Sequence, residues 1–193
     1  AGMQVAIVCP TTLLARQHYT NFVERFAPFP LRGGRLSRLV PVGEAKAVRE
    51  GLEAGTIDVV VGTHAVLAKS VSFKRLGLVI VDEEHDLSFK QQEGFRYNAR
   101  DLAVLRAQLA QCPVVLGSAT PSLESLANAK AGRYEHLWLK ERAATLTPTT
   151  IKLIDLRGQK LQAGLTSALK EAIASRLKKD EQVIIFLNRR GFA

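Results

Sequence analysis

Cysteine is scarce. The chain has two among 193 residues, Cys9 and Cys112, each beside a proline at a strand boundary. They lack the CxxC or Cys/His spacing of a zinc site and read as buried, reduced thiols of a cytosolic protein. No signal-peptide pattern and no long apolar run occur, which argues against secretion and membrane spanning. There is no repeat of fixed period and no low-complexity tract. The pattern G-x-x-x-x-G-K-S/T is also missing; Gly33, Gly34 and Arg35 lack the following lysine. Without that loop there is no backbone cradle and no phosphate lysine.

What is there suits a globular chain. Hydrophobic residues make up 47% and charged residues 23%, enough for one packed domain plus a remnant, or two small domains. Net charge is +9 and the pI about 9.9, which fits a polyanionic partner. Nucleic acid ranks ahead of a membrane surface, because no polybasic amphipathic helix stands out. Solvated surface charge is the bland alternative. The chain begins Ala-Gly and ends Gly-Phe-Ala straight after a strand, so an excised or incomplete piece is expected.

The central stretch runs from Leu78 to His85 (LVIVDEEH). A β-branched run of this length predicts a strand buried on both faces of a parallel sheet. Ligands sit beyond the carboxyl ends of such strands, so the acids Asp82, Glu83 and Glu84 should stand at a site edge. A solvated acidic turn is the competing reading. A metal centre of Asp82, Glu83, Glu84 and His85 is disfavoured, since adjacent residues at a strand end point apart.

Around that strand the chain alternates. Gln4–Cys9 reads as a strand. Thr12 can cap a helix whose stripe is Leu14, His18, Phe22 and Phe26, with His18 a packed, hydrogen-bonded core-edge residue rather than a ligand. A short strand is expected near Leu36–Val40, a helix over Glu44–Ala54 stopped by Gly55, and a strand over Asp58–Val61. Gly62, Thr63 and His64 follow; Thr63 and nearby amides could meet a phosphate, though such a turn is common without one. After the loop Asp86–Tyr97, Asn98 opens a helix to about Gln111 with Leu102, Leu105 and Leu109 on one face. Val114–Leu116 is a strand, and Pro121 fits the first turn of a helix over Ser122–Ala131. The alternation predicts an α/β fold, a doubly wound parallel sheet with helices on both faces. Residues 145–150 (TLTPTT) read as a linker, with strands at Ile151–Asp155 and Gln182–Phe186 around a helix at Ser167–Lys178.

In the loop, Phe89, Phe95 and Tyr97 interleave with Lys90, Arg96 and Arg100. Aromatic faces stack on unpaired bases and cations neutralise the backbone, so the loop is a candidate single-strand site. The same aromatics could be packing anchors.

These pieces resemble the superfamily-2 DNA helicases and translocases. Residues 10–18 (PTTLLARQH), 62–64 (GTH) and 73–85 (FKRLGLVIVDEEH) are similar to the transcription-repair coupling factor. Residues 89–97 (FKQQEGFRY), 99–101 (ARD), 117–122 (GSATPS), 158–160 (GQK) and 186–192 (FLNRRGF) are similar to primosomal protein N′, the replication-restart helicase. The changeover falls at DEEH. The resemblance implies a first RecA-like lobe over residues 1–144, lacking its Walker segment, and a linker with the start of a second RecA-like lobe over 145–193. It implies ATP and Mg²⁺ as cofactors. Asp82 would hold the Mg²⁺, Glu83 would orient the attacking water, and His85 would couple the nucleotide site to Ser118, Ala119 and Thr120. Pro10, Thr11, Thr12, Gly62, Thr63 and His64 would touch a tracking strand, with Asn188, Arg189 and Arg190 at the second lobe. Implied partners are single-stranded or forked DNA and replication-restart or repair proteins, with no membrane, in a bacterial cytoplasm at the nucleoid. Zinc is expected in the primosomal family, but its ligands are not in this chain.

The expected function is a partial motor core of an ATP-dependent DNA helicase, 3′ to 5′, in replication restart or repair. With no Walker loop and no arginine finger, the piece alone should hydrolyse ATP poorly or not at all. The alternative of another class is a non-catalytic single-stranded DNA-binding or docking module, whose affinity would ignore ATP and Mg²⁺.

Overall fold

The computed structural model describes residues 2–91, 96–139 and 150–186. Contacts divide the chain into two units, Ala1–Leu137 and Trp138–Ala193.

The first unit is built on five parallel strands: β1 (Gln4–Val8), β2 (Gly33–Leu36), β3 (Val59–Gly62), β4 (Leu76–Asp82) and β5 (Val114–Gly117), in the order β2-β3-β1-β4-β5. The period of two along each strand makes two cores. Val5, Ile7, Cys9, Val59 and Val61 face helix α1 (Thr12–Phe26) together with its Leu14, Ala15, Tyr19 and Phe22. Ala6, Val8, Val60, Val79 and Val81 face the opposite layer. That layer holds helix α2 (Val42–Ala54) through Val48 and Leu52, and helix α3 (Ala99–Leu109) through Ala99, Ala103 and Ala107. Helices therefore cover both faces, as a doubly wound sheet requires. A fourth helix, α4 (Leu123–Lys130), follows β5.

Several local expectations need correction. Thr11, not Thr12, caps α1, accepting from the Leu14 amide. Strand β2 lies earlier than Leu36–Val40, because Gly33 and Gly34 pass under Phe22 and Val48 where side chains would not fit. Strand β4 is sealed on one face only: Leu76, Val79 and Val81 are buried, while Leu78 and Ile80 are half-covered. In α3 the buried stripe is alanine, and Leu105 and Leu109 are exposed. Ser122 caps α4, so Pro121 precedes the helix rather than opening it.

In the second unit helix α5 (Ser167–Leu177) forms, capped by Thr166. No strand forms over Ile151–Asp155 or Gln182–Phe186. Ile184 and Phe186 are exposed, and a strand with no neighbour to pair with is not stable in water.

Candidate functional site

A parallel sheet brings the carboxyl ends of its strands to one rim. Here that rim gathers Pro10–Thr12 after β1, Gly62–His64 after β3, Asp82–His85 at β4 and Gly117–Thr120 at β5. Backbone bonds tie these turns together: the Cys9 amide donates to Gly62 O at 2.8 Å, and the Glu84 amide to Gly117 O at 3.0 Å. The Ser88 hydroxyl donates to Pro10 O at 3.1 Å, pinning the loop after the acids onto the turn after β1.

The four residues of DEEH diverge. Glu83 adopts a left-handed backbone, φ 51°, uncommon for a residue with a side chain, and it turns its neighbours apart. The Asp82 Oδ2 lies 2.8 Å from His18 Nε2 on α1, with both side chains about a third exposed (32% and 39%). Glu84 turns inward and is 2% exposed. It accepts from the Ser122 amide (2.6 Å), the Ser122 hydroxyl (3.0 Å), the Ser125 hydroxyl (2.8 Å) and Arg100 Nη1 (3.2 Å). Burial pushes the Glu84 carboxyl up, but these hydrogen bonds outweigh it and hold the group below the usual carboxylate range. His85 points to the turn after β5, with Nδ1 2.6 Å from Ser118 Oγ and Nε2 3.3 Å from Thr120 Oγ1. Glu83 Oε2 lies 3.5 Å from the same Nδ1. So the acidic turn and the Ser-Ala-Thr turn adjoin, and the four side chains do not converge on one ion.

The loop candidates divide. Phe89 is 3% exposed and belongs to the core, so it cannot stack on a base. Tyr97 is half-buried against the same core. Arg100 is 8% exposed, with its guanidinium on Glu84, Asp101 (2.8 Å) and Ser122; it is a clamp, not a free phosphate contact. Lys90 and Arg96 are exposed. Phe95 lies outside the described residues, as do Asn188, Arg189 and Arg190. In the Gly-Thr-His turn Gly62 and Thr63 are buried, and only His64 is open to solvent. After β1, Pro10 is buried, Thr11 exposed and Thr12 half-buried, while Ala119 and Thr120 are exposed on the turn after β5.

Sequence reasoning missed Ser122 and Ser125 as partners of Glu84, and it read His18 as a hydrogen-bonded core-edge residue without identifying Asp82 as its partner. The first two carried a signal, serines spaced for capping at the start of a helix. His18 carried one too, a polar residue on an apolar stripe.

A DEAD/DEAH box helicase model matches residues 1–129, and the chain belongs to that family. Its doubly wound sheet is the RecA-like lobe of these helicases. Within the family it is similar to replication restart protein PriA: 41% identical to that of Haemophilus influenzae and 35% to that of Bacillus subtilis, each over the whole chain. The chain spans about a quarter of these relatives, 26% and 24% of their lengths. The likeness to the replication-restart protein thus runs through residues 1–85 as well as the later part. A solved structure of RecG bound to a three-way DNA junction is 36% identical, covering 68% of this chain and 16% of its own, with a TM-score of 0.49. Among the described residues, no helix is long and apolar enough to cross a membrane.

Proposed function

We propose that this chain supplies the acid and coupling side chains of an ATP-driven DNA motor that serves replication restart and moves 3′ to 5′. The observation that carries the reading is the contact of His85 with Ser118 and Thr120 beside Asp82 and Glu83. It joins a nucleotide-side element to a turn that can report on it.

The residues fit the group the family implies. Asp82 offers a hard oxygen donor, a third exposed, at a strand end, the type of ligand Mg²⁺ takes. With ATP, that ion supplies charge neutralisation at the phosphates. Glu83 is 41% exposed beside it, free to orient a water. His85 links Glu83 to the Ser-Ala-Thr turn. On the DNA side of the first unit, Thr11, Thr12, His64, Lys90 and Arg96 are the accessible candidates, with Phe95 as a further contact; Asn188–Arg190 are the candidates of the second unit. Forked or single-stranded DNA and restart proteins are the partners. No residue set in the chain matches the family's zinc segment.

The chain has no phosphate loop, so its own turnover is expected at background. Turnover near that of a full motor, abolished by Glu83→Gln, would overturn that part. The central test is single-strand affinity of the purified chain with and without Mg²⁺·ATP. A response lost in Asp82→Asn is expected. Indifference to nucleotide in the unaltered chain sinks the motor reading. The net charge of +9 with exposed Lys90 and Arg96 then favours a plain DNA-binding module.

A further inference from the structure

Cys9, His18 and Asp82 come from three different elements and meet at one point. Cys9 directly follows β1, His18 lies on α1, and Asp82 ends β4. Their ligand atoms all lie within 4.8 Å of one another. We propose that these three side chains form a site for a thiophilic divalent cation of the Zn²⁺ class, with the fourth tetrahedral position left to solvent.

The donor set argues for the ion. Thiolate, imidazole and carboxylate in one cluster suit Zn²⁺, whereas Mg²⁺ prefers an all-oxygen shell. Ligand atoms on one tetrahedral zinc stand about 3.3–3.6 Å apart by ordinary bond lengths, so a cluster within 4.8 Å closes with side-chain adjustments. The ion takes the place of the 2.8 Å His18–Asp82 hydrogen bond. Cys9 is fully buried, and the cluster opens to solvent on its His18 and Asp82 side. Burial, and then the Asp82 carboxylate, push the thiol up to about 12. A divalent ion cancels the thiolate and the carboxylate together, leaving a neutral half-buried site as the thiol proton passes to solvent. Cysteine spacing could not show this set, because its members are 9 and 64 residues apart in sequence.

The site rests on its own donors and not on the motor reading. Where Asp82 also serves Mg²⁺, the two ions compete for the same carboxylate. A soft cation would then lock the acid that the motor needs.

Anaerobic Co²⁺ titration of the purified chain tests this without ATP or DNA, with Zn²⁺ calorimetry for stoichiometry. One ion per chain is expected, with a thiolate-to-cobalt charge-transfer band. Cys9→Ser should abolish the band and weaken Zn²⁺ by more than the roughly 10–100-fold that losing an outer-shell partner costs. His18→Gln, a change on a partly exposed side chain, should weaken it as well, while Cys112→Ser should leave it unchanged. Circular dichroism checks that each variant is folded. Absence of stoichiometric uptake by the folded chain overturns the proposal, as does a band that survives in folded Cys9→Ser. Neither result bears on the DNA and nucleotide tests.

Discussion

Removing the Glu84 carboxylate leaves the Arg100 guanidinium, the Ser122 amide and the Ser125 hydroxyl facing one another in a pocket almost closed to water. Breaking a buried pair from one side costs about 3–5 kcal/mol, because the remaining charge is uncompensated. Glu84→Ala and Arg100→Ala should each lower the urea-unfolding free energy of the first unit by an amount of that order, and the double variant by less than the sum. The pH dependence has a definite sign. Glu84 lies below its ordinary 4.5, so its contribution is fully present above 4.5 and is lost as pH falls through the lower folded value. Glu84→Gln should flatten that acid limb. Phe89 behaves likewise as a structural residue. Phe89→Ala should cost about 3–5 kcal/mol through the cavity it leaves, read in the same urea experiment. An aromatic interleaved with cations has one appearance in sequence whether it stacks on a base or anchors a loop. Only its 3% exposure decides.

At the scale of elements, β1, β3, β4 and β5 were readable because each is short, β-branched and bounded by Pro, Gly or acid. Gly55 was readable as the stop of α2 because its left-handed backbone, φ 77°, suits glycine. Close approach was not readable. Strand β2 runs through Gly33 and Gly34, and α3 seats on the sheet through Ala99, Ala103 and Ala107. Small residues let backbones come near, yet sequence reading gives core status to bulk such as Leu105 and Leu109. Gly62 is the sharpest instance. A Cβ there would lie 1.9 Å from Leu36 O and 2.7 Å from Val66 Cγ2. Gly62→Ala must therefore push β2 from β3, with a loss of about 1–3 kcal/mol or more. Chemical denaturation should show a lower midpoint with DNA affinity unchanged below the transition. An unchanged midpoint would mean that the strand ends yield without cost.

At the scale of the molecule, the +9 charge fits a polyanionic partner but marks no path for it. The first compact unit ends at Leu137, and the 144/145 boundary expected from the sequence falls outside the described residues. The DNA path can be traced by salt. On single strands each neutralised phosphate adds about 0.7 to the slope of log affinity against log salt. Lys90 and Arg96 are exposed on the loop that Ser88 fastens to Pro10, so Lys90→Ala and Arg96→Ala should each reduce the slope by about 0.7. Arg100→Ala should leave it unchanged in whatever fraction stays folded, because that guanidinium is held by Glu84 and Asp101. Fluorescence anisotropy from low to high salt measures all three. If Lys90 and Arg96 leave the slope unmoved, the loop is off the path, and the charge that would hold DNA must be sought at other cations, Arg189 and Arg190 first.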